Sequence, residues 1–442
     1  MTKRATARRA LKMATATAGV AGSYLSFFAQ SPFLGATARR KKLDATHSRA
    51  AKKLTDDLAA LRGPAMKLGQ ALSIQSDFLP EAALAEFARL QMSAPGMHPT
   101  LVRAQFRSSM GKDPEAIFTS FDEKPFAAAS LGQVHRATLK SGEQVAVKIQ
   151  YPGIRAAIEQ DIGWFRALSK PAQLSRHIPP FAIDEIRDQI LAECDYNREA
   201  ENARLFRDKL SRLGYVDVPM IHRDLSSDRV LTMSYLEGET LDAFLRRRPS
   251  QKLRDLVGER LFEMYYFQLM VMEALHADPH WGNYLFAPDG RIGLVDFGCV
   301  KYFAPAFVAN LKRGFLFSGS RDSREFQQII EERHAGPGVK LTRDARNALA
   351  SMSVNFYGKV YPPEPDAAAR PFDFGDPGVL KLLYRESAKL AKAKAGLPEY
   401  VFLARSEFGL YQTLHRLKAR VHTSAILRKW LAPPRALEAS AR

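Results

Sequence analysis

The chain has 442 residues, 46% of them hydrophobic and 25% charged, enough to bury a large core and to form two or three domains. Its net charge of +18 directs it toward anionic partners such as nucleotides, anionic lipid headgroups or nucleic acid. The two cysteines, Cys194 and Cys299, exclude a disulfide framework and a cysteine-built metal site, and they fit a reducing, cytosolic-side location.

The charge is concentrated at the start. Residues 1–57 carry 12 Lys/Arg against 3 Asp/Glu, half of the whole surplus. Basic residues run from Lys3 to Lys12, an uncharged stretch fills 13–38, and Arg39-Arg40-Lys41-Lys42 follows. Three readings compete: a twin-arginine export signal built on Arg8-Arg9, a weak spanning helix, and an arm lying on a surface. The stretch is rich in Ala, Gly, Ser and Thr, which makes its transfer into a bilayer poor. The expectation is therefore a basic N-terminal arm, 1–42, in contact with an anionic membrane surface, with single-pass insertion left open. The protein is then expected to be cytoplasmic and peripherally membrane-associated.

Residues 48–92 show helical periodicity, with Leu54, Leu58, Leu61 and Ala65 on one stripe and an interruption at Gly63-Pro64. Pro95, Gly96 and Pro99 close this helical extension, 43–100. Residues 100–110 read as another helix. Two strands, 126–139 and 144–150, are joined by the turn Lys140-Ser141-Gly142-Glu143, and helices follow over 154–168 and 182–213. Strand patterns return at 216–221 and 229–235. A mixed region of sheet and helix thus occupies 101–240. The region 241–434 is mostly helical, interrupted at 283–300 by two short apolar runs around Pro288-Asp289-Gly290. Residues 361–377 read as a surface loop, 378–394 and 398–418 as helices, and 435–442 as a tail. The fold class is α+β.

The chemistry-bearing residues appear in a fixed order. Val145-Ala146-Val147-Lys148 is an alternating strand that delivers one lysine, the residue type that bonds nucleotide phosphates in kinases when a helix-borne glutamate holds it. Alone, this tetrapeptide is an ordinary strand end. In His276-Ala277-Asp278-Pro279-His280-Trp281-Gly282-Asn283, Asp278 and Asn283 have the spacing of a kinase catalytic loop. Asp296-Phe297-Gly298 follows an apolar run, the setting of a metal-binding aspartate. Mg²⁺ takes hard oxygen ligands and shares them with phosphates, so Asn283 and Asp296 are the metal candidates. His280 reads as a cap and His276 as a hydrogen-bonding anchor of the loop. Glu193, Asp195 and Glu199 lie in one acidic stretch in which Asp195 and Glu199, i and i+4, are expected to share a helical face. Lys67-Leu68-Gly69-Gln70 places Lys67 and Gln70 on one side of a helix, with Gly69 allowing close backbone approach.

Together these elements resemble the UbiB family of atypical kinases, which supports ubiquinone biosynthesis. The resemblance rests on Lys67-Leu68-Gly69-Gln70, Ala127-Ala128-Ala129-Ser130-Leu131-Gly132-Gln133-Val134-His135, Glu193-Cys194-Asp195, and Asp278, Asn283 and Asp296. It runs in order from Lys67 to Val300. Lys-Ile-Gln-Tyr-Pro-Gly at 148–153 and Asp-Pro-His-Trp at 278–281 point to the mitochondrial-type branch. The resemblance implies a protein-kinase-like bilobal fold with a helical N-terminal KxGQ extension over the site, a pair between Lys148 and Glu199, and Lys67 and Gln70 meeting Glu193 and Asp195. It also implies ATP or ADP with Mg²⁺, ATPase activity rather than ordinary protein phosphorylation, and association with membranes and with quinone-biosynthesis enzymes or lipid intermediates. The implied nucleotide set is Lys148, Ala127, Ala128, Ala129, Ser130, Gly132 and Glu237, and the implied catalytic set is Asp278, Lys148 and Glu199.

Alanine cannot adopt positive φ cheaply, so this loop is expected to hold nucleotide differently from a glycine-rich one. Two other readings remain: a small-molecule phosphotransferase of the aminoglycoside or choline kinase type, and a non-enzymatic scaffold that binds nucleotide and lipid. No zinc, helix-turn-helix or RNA-binding signature is present, which weighs against nucleic acid. Homodimer formation stays open.

Overall fold

The computed structural model describes residues 97–431, apart from 130, 170–186, 189, 279, 318–322, 335–339, 363 and 394–397, and before them Gly35 and Ala38 alone. The expected basic arm, the 43–96 part of the helical extension with Lys67 and Gln70, and Ser130 lie outside the described residues. The chain divides into two compact units. One ends its first segment at Glu201 and takes in Met220–Tyr235, and the other comprises Asn202–Pro219 and Leu236–Arg442.

The first unit is built on an antiparallel sheet in the order Phe118–Phe121, Gly132–Leu139, Gln144–Gln150, Val230–Ser234, with Ala127–Ala129 also paired to Gly132–Leu139. The Gln144–Gln150 strand is central and buried on both faces from Val145 onward. Alternation then sorts its side chains. Val145, Val147 and Ile149 pack with Val102 and Phe106 of the helix Pro99–Met110. Ala146 packs on the other face with Tyr196 and Ala200, at the start of the helix Tyr196–Leu210. The hairpin turn expected at 140–143 is present, with Gly142 at φ 88°, a conformation that favours glycine.

Three expectations change. The run 126–139 is two paired strands rather than one: Ala127 faces Val134, Ala128 faces Gln133 and Ala129 faces Gly132. Leu131, which reads as a strand residue, is instead drawn into a separate apolar cluster with Ile154, Ile158, Ile162, Ile190 and Cys194. Burial of that side chain folds the strand back on itself. Second, the helix expected over 182–213 is interrupted by a turn at Glu193 and Cys194 before a new helix begins at Tyr196. Asp195 caps the new helix: its Oδ1 accepts the backbone N–H of Asn197 at 3.0 Å and of Arg198 at 3.4 Å, while its carbonyl accepts the N–H of Glu199. Asp195 and Glu199 therefore do not share a helical face, and Glu193 and Asp195 stand in a capping turn.

The third change is in the second unit. That unit is mostly helical and holds a three-stranded sheet ordered Val216–Asp217, Ile292–Leu294, Tyr284–Phe286, and a two-stranded ladder of Ala274–His276 with Val300–Tyr302. The apolar runs around Pro288-Asp289-Gly290 form the hairpin Tyr284–Phe286/Ile292–Leu294. The stretch 361–377 is not a surface loop throughout. Phe372–Asp373 pairs with Arg420–Val421, and Phe374 is fully buried, stacked on Tyr411 with centroids 5.6 Å apart. Its Pro, Asp and Ala content suits turns, but one aromatic side chain anchors it in the helical core. Phe374→Ala is expected to destabilise the protein by about 3–5 kcal/mol in chemical denaturation, as a buried Phe does. An exposed loop residue would change stability by less than about 0.5 kcal/mol.

Candidate functional site

In the first unit the site begins with strand parity. Lys148 shares the Ala146 face of the central strand, so its side chain points at the start of the helix Tyr196–Leu210 rather than at the helix Pro99–Met110. There its Nζ lies 2.7 Å from Oε1 and 2.9 Å from Oε2 of Glu199. Only 6% of Lys148 and 2% of Glu199 is exposed, so the pair is largely desolvated. The ammonium also lies 5.1 Å from the centroid of Tyr196, a fully buried ring one helical turn before Glu199. Tyr196 carries no motif signal in the sequence, because a helix-start tyrosine reads as core.

The turn before this helix is held from the same strand face. Gln150 Nε2 donates to the carbonyl of Cys194 at 2.9 Å. Burial beside Glu193 pushes the Cys194 thiol up to about 12, so it stays protonated and unreactive at neutral pH. The alanine hairpin meets the pair through Gly132. A Cβ built there would lie 2.3 Å from the Ile149 carbonyl oxygen and 2.9 Å from the Tyr196 hydroxyl. Glycine at this position is thus required by close backbone packing. Ala127 and Ala129 are half-buried and Ala128 is exposed at the hairpin.

In the second unit Asp278 and Asn283 come together. Asn283 Nδ2 donates to Asp278 Oδ2 at 3.1 Å and to its carbonyl at 3.4 Å, closing the loop on itself. His280 caps the turn Trp281–Asn283 by accepting the Gly282 N–H at Nδ1, 3.1 Å. Asp278 Oδ1 is engaged by Arg405 Nη2 at 3.1 Å, a largely buried ion pair. Arg405 lies on the helix Pro398–Leu417, and nothing in the sequence marks a residue so remote as part of the loop. That helix is clamped by Glu407, whose buried carboxylate accepts the hydroxyls of Tyr266 at 3.0 Å, Tyr357 at 2.6 Å and Tyr411 at 2.8 Å. Burial pushes the Glu407 carboxyl up, and the three hydroxyls oppose that shift. Next to the loop, burial and the Asp278 charge raise the Tyr284 hydroxyl.

The segment carrying Asp296 springs from the same two-stranded ladder as the Asp278 loop: Val300 pairs with His276, and the Ala277 N–H donates to the Cys299 carbonyl at 2.8 Å. His276 Nε2 donates to the Asp296 carbonyl at 2.6 Å, the anchoring role its position suggests. Asp296 has φ 84°, an uncommon conformation for a non-glycine residue and one that collects at functional positions. Its Oδ1 accepts the Gly298 N–H at 3.1 Å. Asn202 Nδ2 donates to the Phe297 carbonyl at 2.9 Å and Asn202 Oδ1 accepts from Tyr302, so a buried asparagine braces this strained segment. Glu237 is exposed in an extended segment of the same unit.

Among the described residues no group of three or more His, Cys, Asp or Glu could hold a metal by itself. Mg²⁺ does not require such a group, because it keeps several waters and takes one or two protein oxygens beside phosphates. The Asn283 amide nitrogen faces Asp278, which turns its Oδ1 the other way, so oxygen donors from Asn283 and Asp296 fit such an ion.

Residues 89–330, more than half of the chain, match the family described as the ABC1 atypical kinase-like domain. The chain is 35% identical over 267 residues to the mitochondrial atypical kinase coq-8 of Caenorhabditis elegans, covering 58% of this chain and 35% of that protein. It is 27% identical over 394 residues to the mitochondrial atypical kinase COQ8 of Saccharomyces cerevisiae, covering 86% of this chain and 76% of the yeast protein. The chain therefore spans about a third of the nematode relative and three quarters of the yeast one. A solved structure, that of Rv3197 with erythromycin from Mycobacterium tuberculosis, superposes with a TM-score of 0.60 at 25% identity, covering 87% of this chain and 97% of the other.

Two substitutions test the first-unit geometry. Glu199→Gln removes a charged hydrogen-bond partner from a buried ammonium and is expected to cost about 1.5–3 kcal/mol in urea unfolding. Gly132→Ala is expected to cost about 1–3 kcal/mol through overpacking against Ile149. A stable Gly132→Ala protein would remove the packing account of this glycine.

Proposed function

The chain belongs to the ABC1 atypical kinase-like family, the UbiB group, and on that premise we propose that it binds ATP or ADP with Mg²⁺ and hydrolyses ATP in support of ubiquinone biosynthesis. The observation that carries the reading is the buried pair of Lys148 and Glu199 on a β-strand and a helix start, the arrangement that prepares a lysine to hold nucleotide phosphates. Asn283 and Asp296 would hold the metal ion, which when bound neutralises phosphate charge. Asp278 is kept in one orientation by Arg405 on one oxygen and Asn283 on the other, as a group needs that orients an attacking water or hydroxyl. Asp296 is presented by a strained backbone that His276 and Asn202 hold in place.

Use of a kinase-like site for hydrolysis is supported by the alanine hairpin. Ala127, Ala128 and Ala129 form a paired strand, so their backbone N–H groups serve strand pairing as well as nucleotide. Their side chains also restrict the positive-φ conformations that let a glycine-rich loop fold over phosphates. The relatives named atypical kinases weigh against the aminoglycoside or choline-type phosphotransferase. The basic N-terminal arm would add attraction to anionic membrane, about 1 kcal/mol for each Lys or Arg near the surface. Among the described residues no helix is long and apolar enough to cross a membrane.

Asp296→Asn is expected to abolish Mg-dependent ATP hydrolysis, and to abolish rescue of quinone content in cells that lack the gene. Full rescue by that variant would instead favour a scaffold. Ala129→Gly is expected to change nucleotide affinity and turnover by at least severalfold in titration calorimetry and a phosphate-release assay. Unchanged values would remove the role given to the alanine hairpin.

A further inference from the structure

A buried polar chain in the first unit has no part in the site as described. The Met97 N–H donates to Gln133 Oε1 at 2.6 Å. Gln133 Nε2 lies 2.8 Å from His135 Nε2, and His135 Nδ1 lies 2.7 Å from the Asp122 carbonyl oxygen. Gln133 and His135 are 1% and 0% exposed, so the bond between their side chains is shielded from water. Met97 opens the continuously described chain, immediately after the segment that carries Lys67 and Gln70. Gln133 pairs with Ala128 on one side and Ile149 on the other, one residue from Lys148.

The bonding leaves one protonation state. A carbonyl only accepts, so His135 Nδ1 must carry hydrogen. If the ring is neutral, Nε2 is a lone pair that accepts from the Gln133 amide nitrogen, and Gln133 Oε1 is left for Met97. If the ring is protonated, Nε2–H faces the Gln133 NH₂, donor against donor. Rotating that amide satisfies the imidazolium but turns NH₂ toward the Met97 N–H. Either way one link is lost.

We infer that Gln133 and His135 are positioning residues forming a proton-sensitive latch: they tie the chain at Met97 to the strand beside the nucleotide hairpin, and the tie holds only while His135 is neutral with its hydrogen on Nδ1.

The surroundings favour the neutral ring. Phe121, which also meets Phe106 of the helix Pro99–Met110, stacks on it at 5.0 Å, and Val147 stands opposite on the central strand. The arginines of that helix are engaged elsewhere, Arg103 with Glu115 and Glu123 and Arg107 with Asp113. Asp122 is the one titratable group among the described residues with an electrostatic effect on His135, and it opposes the larger lowering caused by burial. The sign follows. A histidine with a depressed folded value leaves the folded state resisting protonation, so its stabilisation is fully present above the ordinary histidine value of about 6.5 and declines below it, and the latch itself opens only as pH falls through the lower folded value.

The test reads the latch directly in the full chain. Nitrogen-15 histidine spectra at pH 7.5 should show the Nδ1–H tautomer at His135. Hydrogen exchange at the Met97 amide, corrected for intrinsic rate and compared with Val147, should lose at least tenfold in protection as pH falls from 7.5 to well below the His135 titration point followed in the same spectra. Gln133→Glu offers an acceptor to both Met97 and a protonated ring, so it should raise the His135 titration point and keep Met97 protected below the parent's titration point. Gln133→Leu should expose Met97 above and below the parent's titration point. An Nε2–H tautomer, or Met97 protection in the parent protein that is unchanged across the observed His135 titration, overturns the inference. If Gln133→Leu fails to fold, the Gln133→Glu comparison still decides. A last arm rests on the nucleotide reading: MgADP affinity should weaken with the same acid midpoint in the parent and not in Gln133→Glu. Absence of any MgADP binding would count against that reading and leave the exchange result standing.

Discussion

The desolvated pair of Lys148 and Glu199 constrains most of its surroundings. Two charges out of water persist only when geometry holds them together, because their attraction must offset the cost of desolvation. The strand must present Lys148 on the face away from the helix Pro99–Met110, and the second helix must begin so that Glu199 arrives one turn in. Tyr196 supplies a ring beneath the ammonium, and Gly132 clears the space that Tyr196 and the Ile149 carbonyl occupy. A break in the preceding helix is therefore part of the site. Without the turn at Glu193 and Cys194, and the cap at Asp195, the helix would start elsewhere and carry Glu199 with it.

The second unit solves a different problem, that of presenting carboxylate and amide oxygens without letting them collapse on one another. Asp278 is braced by Asn283 from its own loop and by Arg405 from a distant helix. Asp296 is held through its backbone, by His276 on its carbonyl and by Asn202 on that of Phe297, and its Oδ1 accepts the Gly298 N–H. Both loops leave one short ladder, so their spacing is set by strand pairing. The helix that delivers Arg405 is itself fixed by a carboxylate enclosed by tyrosine hydroxyls, a buried polar cluster that tolerates little rearrangement.

Polar side chains buried at structural joints recur throughout. Gln150 holds the Cys194 carbonyl, Asn202 the Phe297 carbonyl and Gln133 the Met97 amide. Each satisfies a backbone group that strand or helix pairing leaves over, and each stands within a few residues of a motif. Such joints give orientation rather than bulk stability. They explain why residues with no motif identity, such as Asn202 and Arg405, carry as much of the site's geometry as those that do.

The sequence by itself determined the family, the order of the motifs and the sheet-then-helix arrangement, because these rest on local periods and on fixed spacings such as that from Asp278 to Asn283. It also made Lys148 and Glu199 candidates for one pair. It did not show the hairpin inside 126–139, the break before Tyr196 or the burial of Phe374. Each depends on where one side chain finds its cluster: Leu131 among isoleucines, Tyr196 beneath Lys148, Phe374 against Tyr411. Nor did it show Arg405, Asn202 or the relay from Met97 to Asp122, since their partners lie far away in the chain or on the next strand. Local pattern decides which element forms, while long-range burial and hydrogen-bond completion decide where that element stops and which distant residue meets it.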